Sequence, residues 1–260
     1  MTNPLALRQV YVEGDEDVAV LSRWFPRVQF ASVTGKDKVK SEVDRLAGGC
    51  GLLDRDFATD QDVEASRALD SRLVIMRRYA IENYLLEPDI VAAAVGELAA
   101  SFPDQMASWQ DEDRVRTSIL TWAGELALYA AANSIIFRWR EAIQNDKELG
   151  FLRYFGPLPP LPREEVVASL QRRLAALPDA TAIEQILDAR HQEVAQCVAE
   201  WDGAHRWING KVLLEDYLYP RAFQAARLSQ ARLRDLLIEA GRQRVPVELR
   251  ELADGWTSAI

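Results

Sequence analysis

Histidine and cysteine are scarce in this chain of 260 residues, which holds only His191, His205, Cys50 and Cys197. No CxxC pair exists, so neither a disulfide framework nor a structural zinc site is expected, and a reducing compartment fits best. Two isolated histidines exclude a histidine-rich metal centre. Positive charge is also in deficit. Lys and Arg number 31 against 40 Asp and Glu, a net charge of −9. That balance argues against a protein that coats nucleic acid by bulk charge, yet it leaves room for a local basic path beside an acidic metal site. Long apolar runs are missing too. The greasiest stretch, 126–137, is interrupted by Asn133 and Ser134 and is too short to span a bilayer. No apolar leader opens the chain, so the expectation is a cytoplasmic protein with no membrane partner.

What is present has the balance of an ordinary globular protein, 48% hydrophobic and 27% charged, with length for one large domain or two small ones. The first ninety or so residues alternate in type. "RQVYV", "VQFASV", "GCGLLD" and "RLVIM" read as strands, and 15–25 and 36–46 as helices. Strand–helix alternation predicts an α/β fold with a mostly parallel sheet flanked by helices. From Glu82 onward helical periodicity takes over, over 88–102, 113–145, 163–177, 181–201, 211–218 and 221–240. The expected organisation is a core over 1–90, a helical region over 91–205, and C-terminal helices returning to the core over 206–260. Thr181 and Glu184 have capping-box spacing. "GPLPPLP", 156–162, reads as a stiff connector.

Carboxylates are crowded in "VEGDEDV", where Glu13, Asp15, Glu16 and Asp17 follow the first strand. A second acidic pair, Asp54 and Asp56, follows the third. In parallel α/β sheets, sites gather at the carboxyl ends of strands. Magnesium takes oxygen ligands, a few carboxylates together with water and phosphate. Glu13 with Asp54 and Asp56 can supply them, the D-x-D pair pointing to one side if extended. Asp17 either faces the same cavity or simply favours the helix N-terminus. Asp15 and Glu16 are expected to be solvated charges of the first helical turn.

The arrangement resembles the Toprim catalytic domain of topoisomerases, primases and OLD-family nucleases, through "VEG" at 12–14 and "DRD" at 54–56. It is most similar to the OLD-like Toprim nucleases that serve as AriB-type effectors in PARIS antiphage systems. Those carry a matching series, met here as "VEGDEDV" (12–18), "GKDKV" (35–39), "DRDF" (54–57), "IENYLL" (81–86) and "GK" (210–211). The resemblance covers the first ninety residues and a patch near 207–214. It implies a Toprim-type sheet with a large helical insertion, and a cytoplasmic Mg2+-dependent nuclease in which Mn2+ can substitute. It adds Glu82 to the metal ligands and Lys211 to the catalytic residues beside Glu13, the lysine neutralising charge on the phosphoryl transition state. It further implies a role in antiviral defence under the control of an ABC-type ATPase partner, with DNA or RNA, transfer RNA included, as substrate. A homodimer is compatible with it.

The basic residues leave alternatives open. Lys36, in a stretch without Walker spacing, is either a solvated helix start or a contact to substrate phosphate. Lys211 opens a helix after Gly210 and reads equally as a surface lysine. Arg227 and Arg234, in an arginine-rich segment running to Arg250, are expected on one helix face. They would there contact phosphate or simply be solvated. Two rival functions stand beside the nuclease: a non-catalytic Toprim-like module that binds an ATPase, and a primase-like nucleotidyl transferase. The intact acids argue against the first. The lack of a zinc-binding module or nucleotide fingerprint argues against the second.

Overall fold

The computed structural model describes residues 9–46, 48–68, 71–99, 101–102, 106–142, 161–174, 182–224 and 227–258. The chain divides into two compact units, one formed by 1–116 with 209–260 and the other by 117–208.

The first unit is a mixed α/β fold. Its strands are β1 (Gln9–Val12), β2 (Gln29–Ser32), β3 (Cys50–Leu53) and β4 (Leu73–Ile75), all parallel and ordered β2-β1-β3-β4. Central β3 is buried throughout and β1 nearly so, as expected for strands covered on both faces. Helix α1 (Asp15–Trp24) has acids in its first turn, Arg23 in its last, and buries Val20, Leu21 and Trp24. That charge order suits the helix dipole. Helix α2 (Lys36–Arg45) starts after Gly35, whose φ of 86° favours glycine, and turns Val39 and Val43 inward four residues apart. Gly51 lets α2 lie close to the sheet. A Cβ there would meet Val39 Cγ1 and Leu73 Cδ2 at 2.7 Å. Helix α3 (Asp60–Ala65) is capped by Thr59, which accepts from Asp62 N at 3.1 Å.

After β4 come the single turn α4 (Glu82–Leu85) and α5 (Pro88–Ala99). Helix α6 (Glu112–Ala142) begins in this unit and continues into the other. It is far longer than the apolar stretch seen in the sequence. Its segment Glu112–Arg140 has the length and apolar content of a membrane span, and 67% of its most apolar window is buried inside the protein. The second unit continues with α7 (Arg163–Leu174), α8 (Ile183–Val198) and α9 (Trp201–Trp207). Apolar spacing on α8, with Ile183, Leu187, Val194 and Val198 buried, defines its inner face. The predicted capping residue Thr181 and the connector residues 156–160 lie outside the described residues.

The chain re-enters the first unit at Asn209. One turn of α-helix, α10 (Gly210–Val212), widens into a π-helix over Leu213–Phe223. Pro220 lies inside it. In π geometry the missing Pro220 N–H would have bonded the Glu215 carbonyl, and Gln230 Nε2 donates to that carbonyl at 3.3 Å instead. Helices α11 (Gln230–Gly241, capped by Ser229) and α12 (Val247–Ser258) complete the unit. The single helix expected over 221–240 is therefore two elements. Arg227, with a φ of 55°, stands in the turn between them, exposed and off the helix that carries Arg234. Trp24 Nε1 donates to the Ile238 carbonyl at 2.8 Å, fastening α11 to α1.

Candidate acidic site at the carboxyl edge of the sheet

The strand order changes direction between β1 and β3, because β2 lies outside β1 and β4 outside β3. Such a switch point opens a crevice beyond the strand ends. Glu13 is the residue after β1, and Asp54 the residue after β3. They meet across that crevice: Glu13 Oε1 accepts from Asp54 N at 2.9 Å. A cleft of about 530 Å³ opens here, lined by Glu13 to Asp17, Asp54, Asp56, Tyr79, Ala80, Glu82, Asn209 and Lys211. Residues nearly two hundred positions apart thus share one wall-to-wall space.

The D-x-D pair is not extended. Asp56 has a φ of 47°, a left-handed turn that an Asp tolerates better than most residues, and its N–H donates to the Tyr79 carbonyl at 3.1 Å. Both carboxylates still face the cleft. Arg55 between them points inward, 5% exposed, and holds the turn through the Arg77 carbonyl at 3.1 Å and Asp60 at 2.6 Å. Sequence reasoning missed this arginine; its side chain braces the loop from behind. Lys36 donates to the Asp54 carbonyl at 2.7 Å and pairs with Asp56 at 2.8 Å. Read from the sequence as a solvated helix start or a phosphate contact, it is here the counter-ion of Asp56.

Asp17, 9% exposed, accepts from Gly14 N at 2.9 Å and reaches into the cleft from the first turn of α1. Glu82, 5% exposed, comes from the start of α4. Its neighbour Asn83, fully buried, anchors the opposite chain segment. Asn83 Oδ1 accepts from Ala80 N at 3.1 Å and from Gly210 N at 3.0 Å. A Cβ on Gly210 would lie 2.4 Å from Asn83 N, so only glycine fits this approach. The Gly210-Lys211 pair is thereby held at the acids.

Glu16 departs from expectation. Instead of standing in solvent it accepts from Lys211 Nζ at 3.1 and 3.2 Å and from Arg234 Nη1 at 2.6 Å. Arg234 also donates to Glu215 at 2.7 Å. Lys211 lines the cleft and Arg234 reaches it through Glu16, whereas Arg227, in the turn before the helix of Arg234, is not among the lining residues.

Protonation follows these surroundings. Burial pushes Glu13 up to about 7, against the pull of Lys36 and the Asp54 amide. Glu82 is raised to about 7 and Asp17 to about 6, again through burial first and then through neighbouring carboxylates. Asp54 rises well above the usual carboxylate range, from burial and from Asp17 and Glu13. Burial works on Glu16 as well, but hydrogen bonds from Arg234, Glu82 and Lys211 hold it at about 2. The acidic wall thus has too little positive charge near it.

Among the described residues, no three His, Cys, Asp or Glu side chains converge on a single point as they stand. Their hydrogen bonds give the reason: Glu13 leans to the Asp54 amide, Asp17 to the Gly14 amide, and Asp56 to Lys36. The donor set nevertheless suits a hard divalent cation. It is all oxygen, it is mutually repelling, and Asp54 Oδ1 is buried without a hydrogen-bond partner. No protein-family model matches the chain, and no curated protein matches it.

Proposed function

We propose that this cleft is the centre of a Mg2+-dependent nuclease of the Toprim type, with Mn2+ able to substitute. The observation that carries the reading is the meeting of Glu13 and Asp54 across the switch point, where Asp54, its Oδ1 buried without a hydrogen bond, lines a cleft that Lys211 also lines. Glu13, Asp17, Asp54, Asp56 and Glu82 would hold one or two ions. Such ions polarise a phosphodiester and lower the pKa of bound water. The chain's own groups bind and orient. Lys211 places an ammonium where charge grows on the phosphate oxygens, and Arg234 adds a second positive group behind it. Lys36 keeps the D-x-D turn from being forced apart by repulsion.

Support for the family reading comes from position. Gly35-Lys36, Asp54 to Asp56, Glu82 and Gly210-Lys211 are the stretches that resemble OLD-like Toprim nucleases, and all border one cleft or bond directly to its lining. The same resemblance carries the proposal of a cytoplasmic antiphage effector governed by an ABC-type ATPase. End-labelled DNA, RNA and transfer RNA incubated with Mg2+, with Mn2+ and with EDTA test the activity. Metal-dependent cleavage that Glu13→Gln removes supports it. Metal-independent cleavage would overturn the cation site, no cleavage of any substrate returns the fold to a binding module, and primer synthesis from nucleotides would make it a transferase.

A further inference from the structure

The Lys211 backbone and the Arg234 guanidinium are held by groups other than Glu16, whereas the Lys211 ammonium itself bonds Glu16. The Lys211 segment is fixed by Gly210 N on Asn83 Oδ1 at 3.0 Å and by Lys211 N on Asn209 Oδ1 at 2.9 Å. Arg234 is fixed by Glu215 at 2.7 Å, and Glu215 belongs to the π-helix whose free carbonyl Gln230 holds. Glu16 differs. It bridges both cations at once, and its side chain is 40% exposed, so a ligand from solvent can reach it. One carboxylate therefore lies across two cations, one on a backbone fixed by Asn83 and Asn209 and the other anchored by Glu215. Its two oxygens receive an ammonium and one arm of a guanidinium, the pattern in which Lys and Arg receive two oxygens of a phosphate.

We propose that Lys211 and Arg234 form a phosphate-oxygen subsite which Glu16 occupies in the ligand-free chain, and that a phosphate group of the substrate takes the place of the Glu16 carboxylate. The inference rests on the nuclease reading for the identity of the substrate, a nucleic-acid phosphate, and on the contacts above for the subsite itself. Occupation by Glu16 keeps two cations screened until a competing phosphate arrives. It also raises selectivity. A ligand must offer a fuller negative charge or more oxygens than a carboxylate to displace it, which phosphate does.

The test is binding in EDTA, which removes any contribution from cations. Inorganic phosphate and 5′-phosphorylated DNA and RNA tetranucleotides are titrated calorimetrically into the full-length protein, Glu16→Gln, Glu16→Gln/Lys211→Ala and Glu16→Gln/Arg234→Lys. Glu16→Gln keeps the size of the side chain and removes its charge. It is expected to tighten phosphate binding about tenfold or more, as loss of a charge-assisted competitor implies. The second substitutions should cancel that gain, the Arg234→Lys variant keeping the charge but losing the fork. Unchanged or weaker phosphate binding by Glu16→Gln, with melting temperature preserved, would overturn the proposal and make Glu16 a structural clasp. A fall in Mg2+ affinity with no gain in phosphate affinity would overturn it too, assigning Glu16 to the cation instead. The outcome separates from that of the nuclease reading. A tenfold gain in a protein that cleaves nothing sustains the subsite and ends the nuclease, whereas active nuclease without the gain ends only the subsite.

Discussion

Two buried polar groups, Ser134 in the helical unit and Asp54 in the α/β unit, are satisfied to different degrees. In the helical unit, buried Ser134 is fully bonded: its Oγ donates to the Ala131 carbonyl at 2.7 Å and accepts from Arg190 Nε at 2.8 Å. Arg190 is held in turn by Glu193 at 2.6 Å and lies over the Trp207 ring at 4.5 Å. In the α/β unit, Asp54 Oδ1 is buried with nothing to bond, and Glu13, Asp17 and Glu82 are crowded around it. A satisfied network specifies and stabilises a packing. An unsatisfied one lowers stability, and it persists where a ligand completes it. Under the proposed function the Asp54 side of the contrast is where a cation would bind, and each prediction below changes one side of it.

The largest effect is expected from Glu13→Gln. Under the proposed function cleavage should fall to background, because one of the carboxylates that would hold the cation is gone. Stability should not fall. The amide oxygen can still accept from Asp54 N, and a buried charge among like charges has been removed, so the melting temperature in EDTA should match or exceed the parent's. Melting curves of both proteins check this, and a drop of many degrees would make Glu13 a structural residue.

Next comes Lys211→Ala. Single-turnover cleavage at saturating Mg2+ should slow by about a hundredfold or more, the usual effect of losing one donor to an oxyanion. Lys211→Arg should restore part of the rate. Parent rates for the alanine variant would place Lys211 outside the reaction.

A smaller effect concerns pH. In the folded chain Glu13 and Glu82 titrate near 7 and Asp17 near 6, above their ordinary values of 4.5 and 3.8. Stability from such groups is complete below the ordinary values and is lost as pH rises through the folded ones. In EDTA the melting temperature should therefore decline from about pH 3.8 to 6 through Asp17 and from about pH 4.5 to 7 through Glu13 and Glu82. Glu16 runs the other way: its folded value near 2 adds stability above 4.5 that disappears as pH falls toward 2. Melts over pH 3–8 measure the balance, and a flat profile for both the parent and Glu13→Gln would show that the carboxylates are solvated.

The smallest change belongs to the helical unit. Ser134→Ala should cost about 1–2 kcal/mol, the penalty of leaving a bonded polar group without its partner. Denaturant melts measure it, and Mg2+-dependent cleavage should not change. Altered cleavage would mean that the two units are not separable in function.

Much of the acidic wall was legible in the sequence, because strand ends concentrate sites and Glu13, Asp54 and Asp56 each follow an apolar run. Glu82 and Lys211 were named through family resemblance. Glu16 was read as solvated because its partners lie 195 and 218 residues away, a separation that no local pattern reveals. Arg227 was put on the helix of Arg234 because charge periodicity runs on through Ser229, whereas the positive φ at Arg227 and the Ser229 cap end the pattern there. The π-helix was illegible for a related reason. Its register is set by Pro220 and by Gln230 supplying the missing donor, a tertiary bond rather than a sequence period. Asp56 was expected in extended backbone, and its left-handed turn depends on the Tyr79 carbonyl across the cleft.

The most direct test of a cation site at the unsatisfied carboxylates is the melting temperature at pH 8 in EDTA and in Mg2+, for the parent and for Asp54→Asn. The account predicts that Mg2+ at about a hundred times its dissociation constant stabilises the parent by about 3 kcal/mol, some 5 °C or more. Asp54→Asn should melt at least as high as the parent in EDTA and should not respond to Mg2+. Equal responses of the two proteins, or no response from the parent, would contradict it.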